Sequence, residues 1–431
     1  MKILFHDFHV VDAFTDITGD VFVDGESIVD VIPESEPRRQ FAADIVLEGG
    51  GRLVLTSGFV DMHAHFREPP PRQYGGHGPC EKETLEAASL AAARGGYTSV
   101  VCMANTNPPI DNAEAASAIK FMADALGIIK LYPAVSLSEK MNGKKLSPYL
   151  AEKKPVDKPA DTSIYGHSYG HYSYSPYRPP LVSEDGKDIE NDELFTAAIR
   201  AAAEHNAVVS CHCDLDGEDA AVERAVKLGG GAGGIHIAHI STKGAADIVR
   251  KHKKTQALTA EATPHHISLT KYDADNAGAG TFGKVAPPLR GETDRLAVIE
   301  ALRDGAIDVI ATDHAPHTLE DKQNGAPGFS GLETAFAVCN TVLVKENNFS
   351  MQKLFSLMSA APARILGLNG CGSVTKGNHA DIVILDTERE NVINSSLFAS
   401  RGKNTLFSGR KFLGVVMLTL CGGRITYQSS F

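Results

Sequence analysis

Six residues carry the chemistry that this sequence could perform: His63, His65, Asp185, His212, His239 and Asp313. Each falls at the end of an apolar run that reads as a strand. Two imidazoles and a carboxylate converging on one point suit Zn²⁺, and two more imidazoles with a shared carboxylate would hold a second ion. His63 and His65 are two apart, so in a strand both rings point to the same side. Taken singly, a histidine is better read as a core or surface residue. Six such groups, all at strand ends, point instead to a metal centre.

Eight runs can position them: Gly58–Phe66, Thr98–Ala104, Lys130–Ser136, Leu181–Asp185, Ala207–Cys213, Gly234–Ile240, Gln256–Thr263 and Ile307–His314. Each is continuously apolar rather than alternating, as parallel strands buried on both faces are. Amphipathic stretches lie between them: Glu81–Arg94, Ala113–Leu126, Asp192–His205, Lys243–His252 and Glu292–Asp304, with a further run at Leu332–Asn347. Eight β/α units in series predict an α/β fold, a (β/α)₈ TIM-type barrel with its site at the carboxyl ends of the strands; a doubly wound open sheet is the alternative.

Both chain ends read as short strands, Lys2–Phe5, Asp20–Val23, Ile28–Ile32 and Ile45–Leu47 at one end, Asp381–Leu385, Gly414–Leu420 and Arg424–Tyr427 at the other. Neither set can bury a core alone. The expectation is one small composite β-sandwich domain from residues 1–53 and 370–431 beside a catalytic barrel over 54–369. Residues 139–180 form a long Lys-, Pro- and Tyr-rich connection that includes His167 and His171, read as solvated. The Gly229–Gly234 run precedes a strand, so it is a tight loop rather than a phosphate cradle.

Composition excludes several classes. With 431 residues, 43% apolar and 22% charged, the chain can build a large core, and its net charge of −11 argues against a nucleic-acid surface or a polybasic membrane patch. No apolar run approaches the ~18 residues of a membrane helix. Acidic residues come too early for a signal peptide, and seven scattered cysteines read as reduced thiols, so a cytoplasmic location is expected.

The segment Gly58-Phe59-Val60-Asp61-Met62-His63-Ala64-His65-Phe66-Arg67-Glu68-Pro69 resembles the metal-binding opening of the amidohydrolase superfamily, and specifically of dihydroorotases. Similar blocks are Val101–Pro108, Ala262–His266, Val285–Arg290, Ala311–His317, Gly331–Ala335 and Ala380–Val383, so the resemblance runs from about residue 45 to 428 and is weak only in 139–180. It implies a binuclear zinc site in which His63, His65 and Asp313 hold one ion, His212 and His239 the other, and Asp185 bridges them. Other amidohydrolases bridge with a carboxylated lysine, but no lysine stands at an apolar strand end here. Asp185 lies 27 residues before His212, as in bacterial dihydroorotases with an aspartate bridge; Glu184 is the competing assignment. The implied reaction is the reversible cyclisation of N-carbamoyl-L-aspartate to L-dihydroorotate in de novo pyrimidine (UMP) synthesis, by attack of hydroxide held between the metals, with Asp313 as general base and acid.

The resemblance further implies a carboxylate pocket of Arg67, Asn105 and His317, with Ala286, Pro327 and Gly328 at the ring. Related enzymes commonly carry Asn where Ala286 stands. His265-His266 and His314 are read as supports, and Cys211 and Cys213 as packing. Expected partners are the small-molecule substrate, a second copy in a homodimer and an aspartate transcarbamoylase, with no nucleic acid and no membrane. The competing readings are a hydantoinase or allantoinase, and a catalytically silent structural relative that binds no metal.

Overall fold

The structure is a computed structural model that describes residues 1–37, 39–78, 80–152, 177–278 and 282–429. His167 and His171 lie outside the described residues.

The barrel strands are β6 (Phe59–Ala64), β7 (Tyr97–Cys102), β8 (Lys130–Pro133), β9 (Leu181–Ser183), β10 (Val208–Cys211), β11 (Ile235–Ile237), β12 (Leu258–Ala262) and β13 (Val309–Ile310). They form parallel sheets of three (β6 to β8) and five (β9 to β13). Two parallel bridges join the sheets, Val135 to Val182 and Ala64 to His314, and His65 N donates to His314 O at 2.8 Å. The strands therefore follow one another in chain order and return to the first, which rules out the open sheet. Every residue of β6 and β7 is buried, the reason these runs lack alternation.

The helices Ala113–Leu126, Lys243–His252 and Glu292–Asp304 have the bounds expected from sequence. Asn112 and Thr242 cap the first two by accepting from the amides of Ala115 and Ala245. The helix Glu218–Gly229, which was not singled out, occupies the stretch before the glycine run. The Leu332–Asn347 run is α-helical only over Ala335–Cys339 and continues as a π-helix over Asn340–Glu346. Buried Asn340 there donates to Thr387 O and Leu413 O at 2.9 and 2.8 Å, tying the segment to the terminal strands. The last barrel strand is also shorter than expected. Its ladder covers two residues, and the backbone is left-handed at Asp313, at φ 45°.

Strands from both chain ends share one eight-stranded sheet. Its members are β1 (Lys2–Val11), β2 (Asp16–Asp24), β3 (Ser27–Pro33), β4 (Ile45–Glu48), β5 (Val54–Ser57), β14 (Ile382–Val392), β15 (Lys411–Cys421) and β16 (Arg424–Gln428). They run in the order β16-β15-β14-β5-β1-β2-β3, with β4 parallel to β1. Ile3, Phe5, Val10, Leu55, Ile382, Leu418 and Leu420 form a core separate from that of the barrel. Only Gly58 separates β5 from β6, so this sheet runs directly into the strand that carries His63.

Candidate active site

The carboxyl ends of the barrel strands bring the six residues together. His63 Nε2 lies 3.1 Å from Asp185 Oδ1 and 3.6 Å from Asp313 Oδ1, yet makes no hydrogen bond. His65 Nε2 is 3.0 Å from Asp313 Oδ1 and 3.5 Å from Asp185 Oδ2. His212 Nδ1 is 2.9 Å from His239 Nε2 and 3.5 Å from Asp185 Oδ1. All six are buried. Two sets, His63 with His65 and Asp313, and His63 with Asp185 and His239, have donor atoms within 4.8 Å of one another. Buried imidazole nitrogens and carboxylates converging on one point, with one nitrogen making no hydrogen bond, are what a cation site offers.

Electrostatics agree. Burial pushes Asp185 and Asp313 up, but the His63 and His65 rings outweigh it and hold both well below the usual carboxylate range. His63 is raised despite burial by Asp185, Glu261 and Asp313. Burial, then His212 and His63, pull His239 down to about 3. Of the two adjacent acids, Asp185 faces the rings. Glu184 accepts from the Leu137 and Ser138 amides, each at 3.0 Å, and from the Ser138 hydroxyl, so it is turned into a loop.

Three supporting residues escaped the sequence reading. Glu261 on β12 takes His63 Nδ1 at 2.7 Å and His236 Nε2 at 3.0 Å, and accepts from the His239 amide at 3.3 Å. It thereby leaves His63 Nε2 as the free ligand atom. Asp61 accepts from Thr312 N (3.0 Å) and Thr312 Oγ1 (2.5 Å), which locks the first strand to the last; burial pushes its carboxyl up to about 7. The signal for all three was a charged or imidazole side chain inside an otherwise apolar strand.

Three site residues have left-handed backbone: Arg67 at φ 58°, His239 at 32° and Asp313 at 45°. Outside glycine this costs of order 1–3 kcal/mol each and persists where surrounding structure enforces it.

The residues expected to bind a carboxylate are Arg67, Asn105 and His317. Arg67 is half-buried with Nε buried and unpartnered, and its charge helps lower the His317 ring. His317 Nε2 bonds Pro327 O at 2.8 Å, while Nδ1 is buried with no hydrogen bond, 3.9 Å from Asp321 Oδ2. Asn105 lies against the cluster, its Oδ1 2.9 Å from His65 Nδ1 and its Nδ2 donating to Asp185 Oδ2 at 3.0 Å. Ala286 is half-buried, Pro327 exposed and Gly328 buried at φ 131°. Asn404 fastens this region by accepting from His317 N (3.0 Å) and donating to Ala315 O (3.0 Å) and Gly328 O (2.9 Å).

Of the residues read as supports, His266 spans Thr263 Oγ1 and Pro287 O (2.8 and 3.0 Å), and His314 Nδ1 accepts from Gly331 N at 3.1 Å. His265 is buried edge-on to Phe329, with Nε2 unpartnered. Cys211 and Cys213 are buried, and burial raises both thiols, which suits packing.

The amidohydrolase family model matches residues 54–426. The dihydroorotase of Clostridium botulinum (strain Eklund 17B / Type B) is 34% identical over 439 residues, covering 99% of this chain and 100% of its own. That of Thermoanaerobacter sp. (strain X514) is 36% identical over 449 residues, with 99% and 98% covered. Among solved structures, the L-hydantoinase from Arthrobacter aurescens superposes with a TM-score of 0.82 at 20% identity, covering 100% of this chain and 96% of that one, a likeness of fold alone. With two full-length dihydroorotase relatives, a matched barrel and a converging His/Asp cluster, the chain belongs to the amidohydrolase family, where it groups with the dihydroorotases as a cyclic amide hydrolase.

Proposed function

We propose that the chain is a zinc-dependent dihydroorotase that interconverts N-carbamoyl-L-aspartate and L-dihydroorotate in pyrimidine synthesis. The observation that carries the reading is Arg67. Its guanidinium is close enough to the cluster to lower His65 and to feel Asp185 and Asp313, its Nε is buried with no hydrogen bond, and no carboxylate ion-pairs with it among the described residues. A ring that carries a carboxylate would supply the missing partner; a hydantoin or allantoin ring would leave the cation unpaired.

The residues fit divalent metal: His63 Nε2 is a buried donor with no hydrogen bond, among nitrogens and carboxylates that suit zinc. His63, His65 and Asp313 would hold one ion, and His212 and His239 a second, with Asp185 shared. Such ions supply Lewis acidity and bring a water's pKa toward ~7. Asp313 takes the proton from the attacking water and delivers it to the leaving ring nitrogen; in the reverse direction it takes that proton from the ureido nitrogen. Arg67 pairs with the substrate carboxylate and fixes which carbonyl faces the cluster. His317, pulled down to about 3 by burial and then by Arg67 and Lys82, stays neutral and props Pro327.

The test is turnover of L-dihydroorotate, hydantoin and allantoin by the purified protein, with metal content per chain. Turnover of dihydroorotate alone with bound zinc is expected, and Arg67→Met should lose about 10–100-fold in kcat/KM, the worth of one charge-assisted bond. Activity confined to hydantoin or allantoin would overturn the carboxylate assignment. No metal and no turnover would leave a silent relative.

A further inference from the structure

Lys322 has no place in the chemistry above, yet its side chain is fully buried. It lies in the short helix Leu319–Gln323, whose cap is closed by Thr318 and Asp321. Asp321, the adjacent carboxylate, is spent on Thr318 and on Lys82 Nζ at 2.9 Å. Among the described residues no carboxylate ion-pairs with Lys322. Its ammonium instead gives all three hydrogens to backbone carbonyls, Lys284 O at 3.0 Å, Ala326 O at 2.9 Å and Gly328 O at 3.1 Å, and it sits 5.5 Å from the Phe329 ring centroid.

A buried cation held only by neutral dipoles is expensive, and burial, aided by Lys284, pulls its pKa down to about 8. A methionine would pack the same space without that cost. What the ammonium does that methionine cannot is join two segments remote in sequence. One is 284–287, with Ala286; the other is 326–328, with Pro327, which carries the His317 ring, and Gly328, whose amide also donates to Lys284 O at 3.0 Å. The carbonyl of Lys284 thus accepts across the seam from both Lys322 Nζ and the Gly328 amide.

We propose that Lys322 is a positioning residue for substrate: its ammonium clasps the 284–287 and 326–328 segments into the one arrangement that receives the ring. This rests on the dihydroorotase reading, which places the ring between those segments. Arg67 and Asp313 lie outside the clasp, so the chemical step keeps its groups when the clasp is cut.

The test uses Lys322→Met, which keeps the aliphatic stem, and Lys322→Gln, which can still donate to one or two of the carbonyls. Kinetics with L-dihydroorotate and amide hydrogen exchange are measured on the full-length metal-loaded protein. For Lys322→Met, KM should rise about tenfold or more while kcat stays within about threefold, and the amides of 284–289 and 324–330 should exchange at least about tenfold faster with those of β7 unchanged. Lys322→Gln should fall between wild type and Lys322→Met in both readouts, which keeps the test alive if the methionine variant does not fold. Unchanged exchange would overturn the clasp. Faster exchange with unaltered KM, or a parallel fall of kcat and folded fraction, would reduce Lys322 to a structural residue and overturn the proposal. Failure of the wild type to turn over dihydroorotate would sink the functional reading instead, and the exchange measurement would still decide whether the segments are clasped.

Discussion

Glu261 should set metal affinity without touching metal. Its carboxylate accepts a hydrogen bond from His63 Nδ1 at 2.7 Å, and although burial pushes its pKa up, His63 and His236 hold it at about 2, so it is charged at neutral pH. That charge makes Nε2 of His63 a better donor. In Glu261→Gln the amide oxygen can still accept from His63. The amide nitrogen can donate to His236 Nε2 once His236 shifts its proton to Nδ1, which faces Thr259 Oγ1 at 2.9 Å. The hydrogen bonds survive and the charge is lost, which should weaken metal binding about 10–100-fold, or ~1.4–2.7 kcal/mol. Glu261→Ala leaves His63 Nδ1–H and the His236 ring unsatisfied as well, at ~1–3 kcal/mol each in folding stability. Competition with a chromogenic chelator at pH 7 measures the affinity, and urea unfolding of the metal-free proteins measures the stability. The reasoning fails if Glu261→Gln binds zinc within about twofold of wild type, or if Glu261→Ala is no less stable than Glu261→Gln.

Asp313→Asn should lower kcat by about 10²–10⁴-fold, as removal of a general base does, and a variant that keeps more than a tenth of wild-type kcat would dismiss Asp313 as the base. Gly328→Ala places a Cβ 2.4 Å from that of Ala315 at φ 131°, so urea unfolding should show a loss of roughly 1–3 kcal/mol; an unchanged midpoint would mean that the loop can shift freely. In the metal-free protein, His266 and His317 are held near 4 and 3, chiefly by burial, against 6.5 in the unfolded chain. Both are neutral when folded, so the stability they contribute is fully present above pH 6.5. It is lost as the pH falls toward their folded values, at up to about 1.4 kcal/mol per pH unit each. Denaturation at pH 6.5 and 4.5 should show a smaller acid loss in the His266→Asn, His317→Asn double variant, and an equal loss would refute the assignment.

The barrel was legible because strands buried on both faces leave unbroken apolar runs, and the metal cluster because its members stand at the ends of those runs. Choosing between Glu184 and Asp185 was not possible from adjacency. What turns Glu184 away is the Leu137–Ser138 backbone, on another strand's loop 46 or 47 residues earlier. Glu261, His236 and Asp61 were visible as letters, yet each looked like an interruption of a core strand. Their roles depend on which neighbour they face across the barrel, and periodicity carries no information about that. Asn105 shows a further limit: likeness assigns it to substrate, and only the structure shows that its amide also reaches His65 and Asp185.

The reach of Asn404 into the active site gives synthesis a direction. All six metal-site residues exist once Asp313 has been made, but the side chain that fastens the His317 amide arrives 87 residues after His317. At 5–20 residues per second the ribosome needs roughly 4–17 s for that stretch. During the interval the emerging chain has the six cluster residues without a fastened His317 loop, and β5, already able to pair with β1, still lacks β14 on its other edge. The cluster residues therefore precede in synthesis much of the core that packs around them, which includes Phe336, Leu354, Phe355 and Val383. A chain released after Asp313 and before Ile382 would carry all six cluster residues yet lack both the side chain that fastens His317 and the strand β14 that pairs with β5.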